Sequence, residues 1–152
     1  MSRRFEYHLA HPGIQALLDL ETYIHGCGLE PALLELVKMR ASQINGCAYC
    51  LDMHSKDARA AGETEQRLYL LDAWREAPFY SERERAALAW TEAVTRVADT
   101  RVPDDVYAQA AQQFNERELL DLTLAITAIN SWNRLAVSSR VEAGGYRPKS
   151  TE

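Results

Sequence analysis

The sequence lacks a long apolar run. No stretch approaches the roughly 18 to 20 consecutive apolar residues that a membrane-spanning helix requires. Two arginines, Arg3 and Arg4, could begin a signal peptide. The polar residues Glu6, His8 and His11 then stand where such a peptide has its apolar segment. We therefore expect no export, no membrane partner and a cytoplasmic location.

The sequence also lacks a block of basic residues. Its 17 lysines and arginines are scattered among 22 aspartates and glutamates, which gives a net charge of −5. A nucleic-acid-binding face concentrates positive charge, so nucleic acid is not expected as a partner. The 7 glycines, 5 prolines and 47% hydrophobic residues are typical of a globular protein. We expect one domain over residues 1–152, since a chain of this length can bury about two thirds of its unfolded surface.

No segment alternates polar and apolar residues as half-buried strands do, and we therefore expect no sheet. Apolar residues recur instead at helical spacing, and Ser81 with Glu84 forms a capping-box signature. The sequence therefore predicts an all-α bundle of about seven helices. Their expected positions are Pro12 to about Gly26, Pro31 to Asn45, about Cys47 to Gly62, Thr64 to before Pro78, Ser81 through Val97, from Pro103 onward, and Asn115 or Glu116 to before Gly144.

Cysteine is scarce as well, with three residues in the chain. In a protein without an export signal, a close cysteine pair is more often redox-active or metal-binding than a structural disulfide. Cys47 and Cys50 form such a pair, and His54 follows one turn later. Offsets of three, four and seven residues put these side chains on one side of a helix. One helix face therefore carries two thiols and an imidazole.

This arrangement suits nucleophilic chemistry. The thiolate is the nucleophile, whereas a thiol with the ordinary pKa of about 8.5 is mostly protonated at neutral pH. A helix N-terminus can lower that pKa, and His54 is placed to act as a base one turn after Cys50. Glu35 precedes the turn between the two helices, and His54 follows it. Measured along the helices, their distances from that turn differ by only about 3 Å. If these helices are antiparallel, Glu35 can orient His54 and stabilise its charge.

Other interpretations of these residues remain open. Although structural zinc sites usually draw their ligand pairs from separate turns, the cysteine pair and His54 could bind zinc with a fourth ligand from Cys27, His25 or Glu35. Glu35 could also be a solvent-facing residue of a leucine-rich helix. Cys27 is expected to be a small buried apolar residue, not a third redox thiol. Trp132 and Asn133 are candidates for the wall of a pocket around the thiols.

The same residues carry a resemblance to a known family. Glu35 followed by Cys47-x-x-Cys50-x-x-x-His54, with Met39-Arg40-Ala41-Ser42 between, resembles the signature of the AhpD-like alkylhydroperoxidase branch of the carboxymuconolactone decarboxylase superfamily. The stretch from Arg83 to Arg140 is similar to the second half of that family, notably at Leu88-Ala89-Trp90-Thr91-Glu92 and Ile129-Asn130-Ser131-Trp132-Asn133-Arg134. The resemblance covers nearly the whole chain.

The resemblance implies an all-helical subunit that assembles into homotrimers or homohexamers and reduces hydroperoxides. By position, Cys50 would attack a small hydroperoxide and become a sulfenic acid, and Cys47 would condense with it to a disulfide. His54, with Glu35 behind it and a bridging water, would take the proton from Cys50. A dithiol reductant, a lipoyl-bearing or thioredoxin-like protein, would restore the pair. No cofactor and no metal enter that mechanism.

The sequence departs from some members of this family at Tyr49. Those members carry a second histidine there that can serve the first cysteine, whereas a phenol with a pKa of about 10 is a poor base at neutral pH. Proton supply to Cys47 is therefore the expected weak point. The decarboxylase branch lacks the cysteine pair, so lactone decarboxylation is not the expected activity. The alternative functions are a protein disulfide reductase or redox sensor, and a non-enzymatic module that binds zinc or a small molecule.

Overall fold

The computed structural model describes residues 2–148 and contains, within that range, eight α-helices, one 3₁₀ turn and no strand. The predicted all-α class is therefore confirmed, with eight helices in place of about seven. Within the same residues, no helix combines the length and the apolar character that crossing a membrane requires. The elements are α1 (Pro12–Gly26), α2 (Pro31–Asn45), α3 (Ala48–Ala60), α4 (Glu65–Tyr69), the 3₁₀ turn (Leu71–Ala73), α5 (Glu82–Thr95), α6 (Val97–Thr100), α7 (Asp104–Gln113) and α8 (Glu116–Ser139).

The additional helix, α6, arises where the predicted fifth helix breaks. Helix α5 ends at Thr95, and Arg96 leaves the helical conformation (φ −102°, ψ 34°) before α6 begins. The Thr100 hydroxyl donates a 2.7 Å hydrogen bond to the Ala93 carbonyl oxygen, one of the acceptors near the end of α5. Val97, which the sequence assigned to the fifth helix, is consequently exposed to solvent.

Several helices start at the predicted capping residues. The Ser81 hydroxyl accepts a 3.2 Å hydrogen bond from the Glu84 N–H, and the Glu84 carboxylate accepts one of 2.8 Å from the Ser81 N–H. This confirms the predicted capping box, and Asn115 and Glu118 form a second one at the start of α8. Thr64 caps α4, although this helix has only 5 residues before the chain enters the 3₁₀ turn.

Helix α2 is central to the packing, because it contacts α3, α5 and α8. Leu36, Val37 and Ala41 on this helix are fully buried. Ala41 also belongs to a small cluster in which α8 packs against the cysteine pair, made of Ala41, Cys47, Cys50, Ile129 and Ala136. Side chains on α2 are therefore held by packing on three sides.

The turn between α2 and α3 depends on Gly46. This residue has φ 63° and ψ 35°, the left-handed conformation in which many helices end. A β-carbon here would meet no atom within 4 Å, so only the backbone opposes a larger residue. Gly46→Ala should therefore lower the free energy of unfolding by about 1 kcal/mol, as measured by urea denaturation. Gly26→Ala is the matched control, since its surroundings are equally open and its φ is not positive. Equal stability of the two variants would contradict this explanation.

Candidate active site

Cys47 and Cys50 lie at the start of α3. The Cys47 N–H donates a 3.0 Å hydrogen bond to the Ser42 carbonyl oxygen and so closes the end of α2. Cys47 is the N-cap residue of α3, with φ −87° and ψ 95°, and Cys50 stands in the first turn. Both cysteines are buried, with 1% and 2% of their surface exposed. The two sulfurs therefore lie at the positive end of a helix.

The antiparallel arrangement of α2 and α3 brings Glu35 to His54. The Oε2 atom of Glu35 lies 3.0 Å from Nδ1 of His54. Burial raises the pKa of the Glu35 carboxyl, but the hydrogen bond and charge of His54 and the Lys38 ammonium outweigh it and hold the pKa below its usual value. Glu35 is therefore an anion that faces the imidazole, at the place that the helix spacing predicts, and not a solvent-facing residue.

The two sulfurs differ in protonation. The Cys50 thiol donates a hydrogen bond to Cys47, and backbone N–H groups of Cys50 and Tyr49 assist it. Against the effect of burial, these donors lower the pKa of Cys47 to about 7. The same thiol hydrogen bond, together with burial, raises the pKa of Cys50. Near neutral pH, Cys47 is thus the sulfur that ionises first, and Cys50 carries the remaining proton.

This distribution of protons between the two thiols differs from the one that the sequence suggests. From the sequence, His54 would keep Cys50 ionised, and Tyr49 would leave Cys47 without a base. In the structure, the Cys50 thiol and the N–H groups at the start of α3 stabilise the Cys47 anion and lower its pKa. The spacing of the two cysteines does not predict which one ionises, because it does not show which sulfur accepts the hydrogen bond between them.

The unequal protonation can be measured. Thiolate ultraviolet absorbance of the reduced protein should rise with a midpoint at about pH 7, because Cys47 loses its proton there. Below this pH both sulfurs are protonated, and above it Cys50 keeps its proton. The side-chain carbon signal of Cys47 in NMR should move with the same midpoint, and the Cys27→Ser control should keep the step. A midpoint at the ordinary value of about 8.5, or a Cys47 signal that does not move with the step, would contradict the assignment.

Asn133 is a further polar group beside the thiols. It is 1% exposed, accepts a 2.9 Å hydrogen bond from Asn45 Nδ2 and donates one of 3.0 Å to Ser42 Oγ. The Asn133 side chain also lowers the pKa values of both thiols, although less than the hydrogen bond between the thiols changes them. It helps to lower the pKa of Cys47 and opposes the increase in the pKa of Cys50. The sequence indicated Asn133 only as a pocket wall, whereas here it stabilises negative charge on the pair.

Cys50 and His54 open onto a cavity of about 500 Å³. Cys47 is not among the residues that line it, so a molecule in the cavity meets Cys50 first. The apolar part of the wall is formed by Leu9, Leu18, Met53, Trp132 and Ala136. The polar part includes Tyr7, Glu21, Glu35, Lys38 and Tyr49.

Sequence reasoning missed three of these polar residues. Lys38 follows Glu35 by three positions, a helical spacing that could have indicated their contact. Tyr7 lies in the segment before α1, and Glu21 lies on α1, so both are distant in sequence from the cysteine motif. No local pattern points to them, because only the tertiary fold brings these segments to the cavity.

The other candidate metal ligands do not join the cysteine pair. Cys27, which was expected to be buried, is only partly buried; it packs against the core cluster that contains Ile24 and Leu29, whereas the pair belongs to a different cluster. The side chain of His25 is 64% exposed. Across residues 2–148, no group of three or more His, Cys, Asp or Glu side chains is arranged to hold a metal ion.

A comparison with known protein families shows which family contains this cysteine motif. The model of the carboxymuconolactone decarboxylase family matches residues 13–93, more than half of the chain. The matched segment contains Glu35, the cysteine pair and His54. The chain belongs to the carboxymuconolactone decarboxylase family.

Relatives within and around this family support the same assignment. The chain is 45% identical to the uncharacterized protein YdfG of Bacillus subtilis over 139 residues, 91% of this chain and 95% of that protein. A protein of unknown function from Agrobacterium tumefaciens, whose name suggests an AhpD antioxidant defence protein, has a TM-score of 0.90 at 44% identity, covering 95% of this chain and all of that one. The debrominase Bmp8 shares the fold alone, with a TM-score of 0.78 at 20% identity over 87% of this chain and 71% of its own. The AhpD-like resemblance is thus confirmed at the level of family and fold.

Proposed function

We propose that this protein is a cysteine-based hydroperoxide reductase. One observation carries the proposal: a pair of buried thiols at a helix start shares a site with a hydrogen-bonded His54 and Glu35, and only Cys50 of the pair lines the adjoining cavity. A nucleophile, a base and a carboxylate that orients the base are the parts that activated thiol chemistry requires.

The first step is attack by Cys50 on the peroxide. His54 takes the Cys50 proton through Nε2 and a bridging water, because Nδ1 is engaged with Glu35. The Cys50 thiolate attacks the terminal oxygen of ROOH, the O–O bond breaks, and Cys50 becomes a sulfenic acid. The leaving alkoxide takes the proton from His54 and departs as the alcohol. Glu35 stabilises the positive charge that His54 carries between these two transfers.

The second step closes a disulfide. Cys47, which is the more acidic sulfur, attacks the sulfur of the Cys50 sulfenic acid. The S–S bond forms, the S–O bond breaks, and the hydroxide leaves as water after it gains a proton. The pair has then supplied two electrons to the peroxide. Backbone N–H groups of Cys50 and Tyr49 and the Asn133 side chain stabilise the Cys47 anion in this step, so Tyr49 in place of histidine does not block it.

An external dithiol must return two electrons to the pair. We propose a lipoyl-bearing or thioredoxin-like protein in the cytoplasm as the reductant, and a homotrimer or homohexamer as the working assembly. Large exposed apolar side chains on α1 and α8 support an assembly, namely Tyr23, Leu120 and Val137. Sedimentation velocity measures the number of chains directly.

Steady-state turnover tests the proposed activity. The reduced protein should consume hydrogen peroxide or cumene hydroperoxide with dihydrolipoamide as the electron donor. Cys50 lines a cavity of about 500 Å³, which can admit a small hydroperoxide. Turnover of insulin disulfides that is faster than turnover of either peroxide would replace the proposal with a protein disulfide reductase.

A further inference from the structure

Lys38 is a buried charge that the mechanism above does not use. It lies on α2, and only 3% of its side chain is exposed. Removing an ammonium group from water is costly unless other charges compensate for it. The Nζ atom of Lys38 lies 3.3 Å from Oε2 of Glu21 and 3.9 Å from Oε1 of Glu35. The lysine therefore bridges two carboxylates in the cavity wall.

These contacts form a continuous polar chain that ends at the catalytic imidazole. Trp132 Nε1 donates a 3.2 Å hydrogen bond to Oε1 of Glu21, whose other oxygen contacts Lys38. Lys38 contacts one oxygen of Glu35, and the other oxygen of Glu35 lies 3.0 Å from His54 Nδ1. The chain thus joins α8, α1, α2 and α3 along one side of the cavity.

We propose that Lys38 is a positioning residue for the hydroperoxide reductase site, where it keeps Glu35 ionised and turned toward His54. The inference rests on the proposed function, because it gives Lys38 a part in the same reaction. Glu21 and the Trp132 indole hold the ammonium in place. Lys38 does not touch the reacting atoms in this assignment and acts through Glu35.

The charges around Glu35 give Lys38 its effect. Ionisable groups from four parts of the chain line this cavity, namely Tyr7 before α1, Glu21 and His25 on α1, Lys38 on α2, and Tyr49, Cys50, His54 and Asp57 on α3, and Glu35 also interacts with Tyr146 after α8. The Lys38 ammonium is the one permanent positive charge among them, against the carboxylates of Glu21, Asp57 and Glu35 itself. Without it, His54 and His25 remain to stabilise the Glu35 anion.

Lys38→Met removes the charge and keeps a side chain of similar length. The Glu35 carboxyl should then titrate about one pH unit higher, as read from its side-chain carbon signal in NMR and assigned with Glu35→Gln. At the pH where wild-type Glu35 is ionised and the variant's is not, kcat/KM for hydrogen peroxide should fall about tenfold and recover at higher pH. Lys38→Arg should restore both the titration and most of the rate. A lysine with only a packing role would move neither the titration nor the acidic limb of the pH profile.

Two further variants keep the inference testable. Lys38→Gln serves if Lys38→Met does not fold, since it also lacks the charge. Glu21→Gln removes a negative charge beside the lysine and should shift the Glu35 titration in the opposite direction, to lower pH. An unchanged Glu35 titration in folded Lys38→Met or Lys38→Gln overturns the role of Lys38. If the wild-type protein does not turn over peroxide, the proposed function is wrong. If the Glu35 titration still shifts in Lys38→Met in that case, the electrostatic role of Lys38 remains supported.

Discussion

Cys50→Ser should abolish peroxide reduction, with kcat/KM lower than that of the wild type by at least about a thousandfold. Serine keeps the size and the hydrogen-bonding ability of the side chain, but its hydroxyl cannot form the sulfenic acid. Cys50 is also the sulfur of the pair that lines the cavity, so Cys47 does not replace it as the group that meets the peroxide. Stopped-flow measurement of peroxide loss in a single turnover gives this rate.

The other two cysteines provide matched comparisons. Cys47→Ser should still react once with peroxide and then stop as a sulfenic acid, which a dimedone adduct detected by mass spectrometry identifies. Cys27→Ser should keep the full rate, because Cys27 packs in a separate core cluster. If Cys47→Ser loses the first reaction and Cys50→Ser keeps it, the attacking sulfur is Cys47, and the two roles must be exchanged.

Glu35→Gln should lower kcat/KM about a hundredfold without unfolding the protein. The amide has the shape of the carboxylate and can still hydrogen-bond to His54, but it cannot stabilise the imidazolium that forms when His54 takes a proton. The effect should fall on the step before sulfenic acid formation, so single-turnover peroxide loss should slow by the same factor as steady-state turnover.

Glu30→Gln is the control for this substitution. Glu30 is exposed just before α2, where it pairs with Arg83. The same chemical change at this position should leave the rate within about twofold of wild type, because surface ion pairs contribute little. Equal rates for Glu35→Gln and the wild type, with an unchanged melting temperature, would remove the carboxylate from the mechanism.

The connection between Glu35 and His54 could be predicted from the sequence because it depends on helix geometry alone. Two helices joined by a short turn bring together residues that are equally distant from that turn. The left-handed conformation of Gly46, the capping box at Ser81 and the start of α3 at Cys47 are equally local features. Each is encoded within a few residues, and each is present in the structure.

The electrostatics of the site could not be predicted in this way. The spacing of Cys47 and Cys50 places both on one helix face, but which of them ionises depends on the N–H groups and on Asn133 from α8. Lys38 and Glu35 are close in sequence, yet the contact with Glu21 needs α1 to pack across them. The break of the fifth helix at Arg96 also has no local signal as strong as proline or glycine. These features arise from tertiary contacts, which spacing does not describe.

Thiol counting with one equivalent of hydrogen peroxide tests most directly whether the cysteine pair acts as a two-electron unit. We expect the reduced protein to lose two of its three thiols. Peptide mapping should then show Cys47 linked to Cys50 within one chain, with Cys27 still free. A protein that keeps all its thiols, or that forms its disulfide through Cys27 or between chains, would contradict the mechanism.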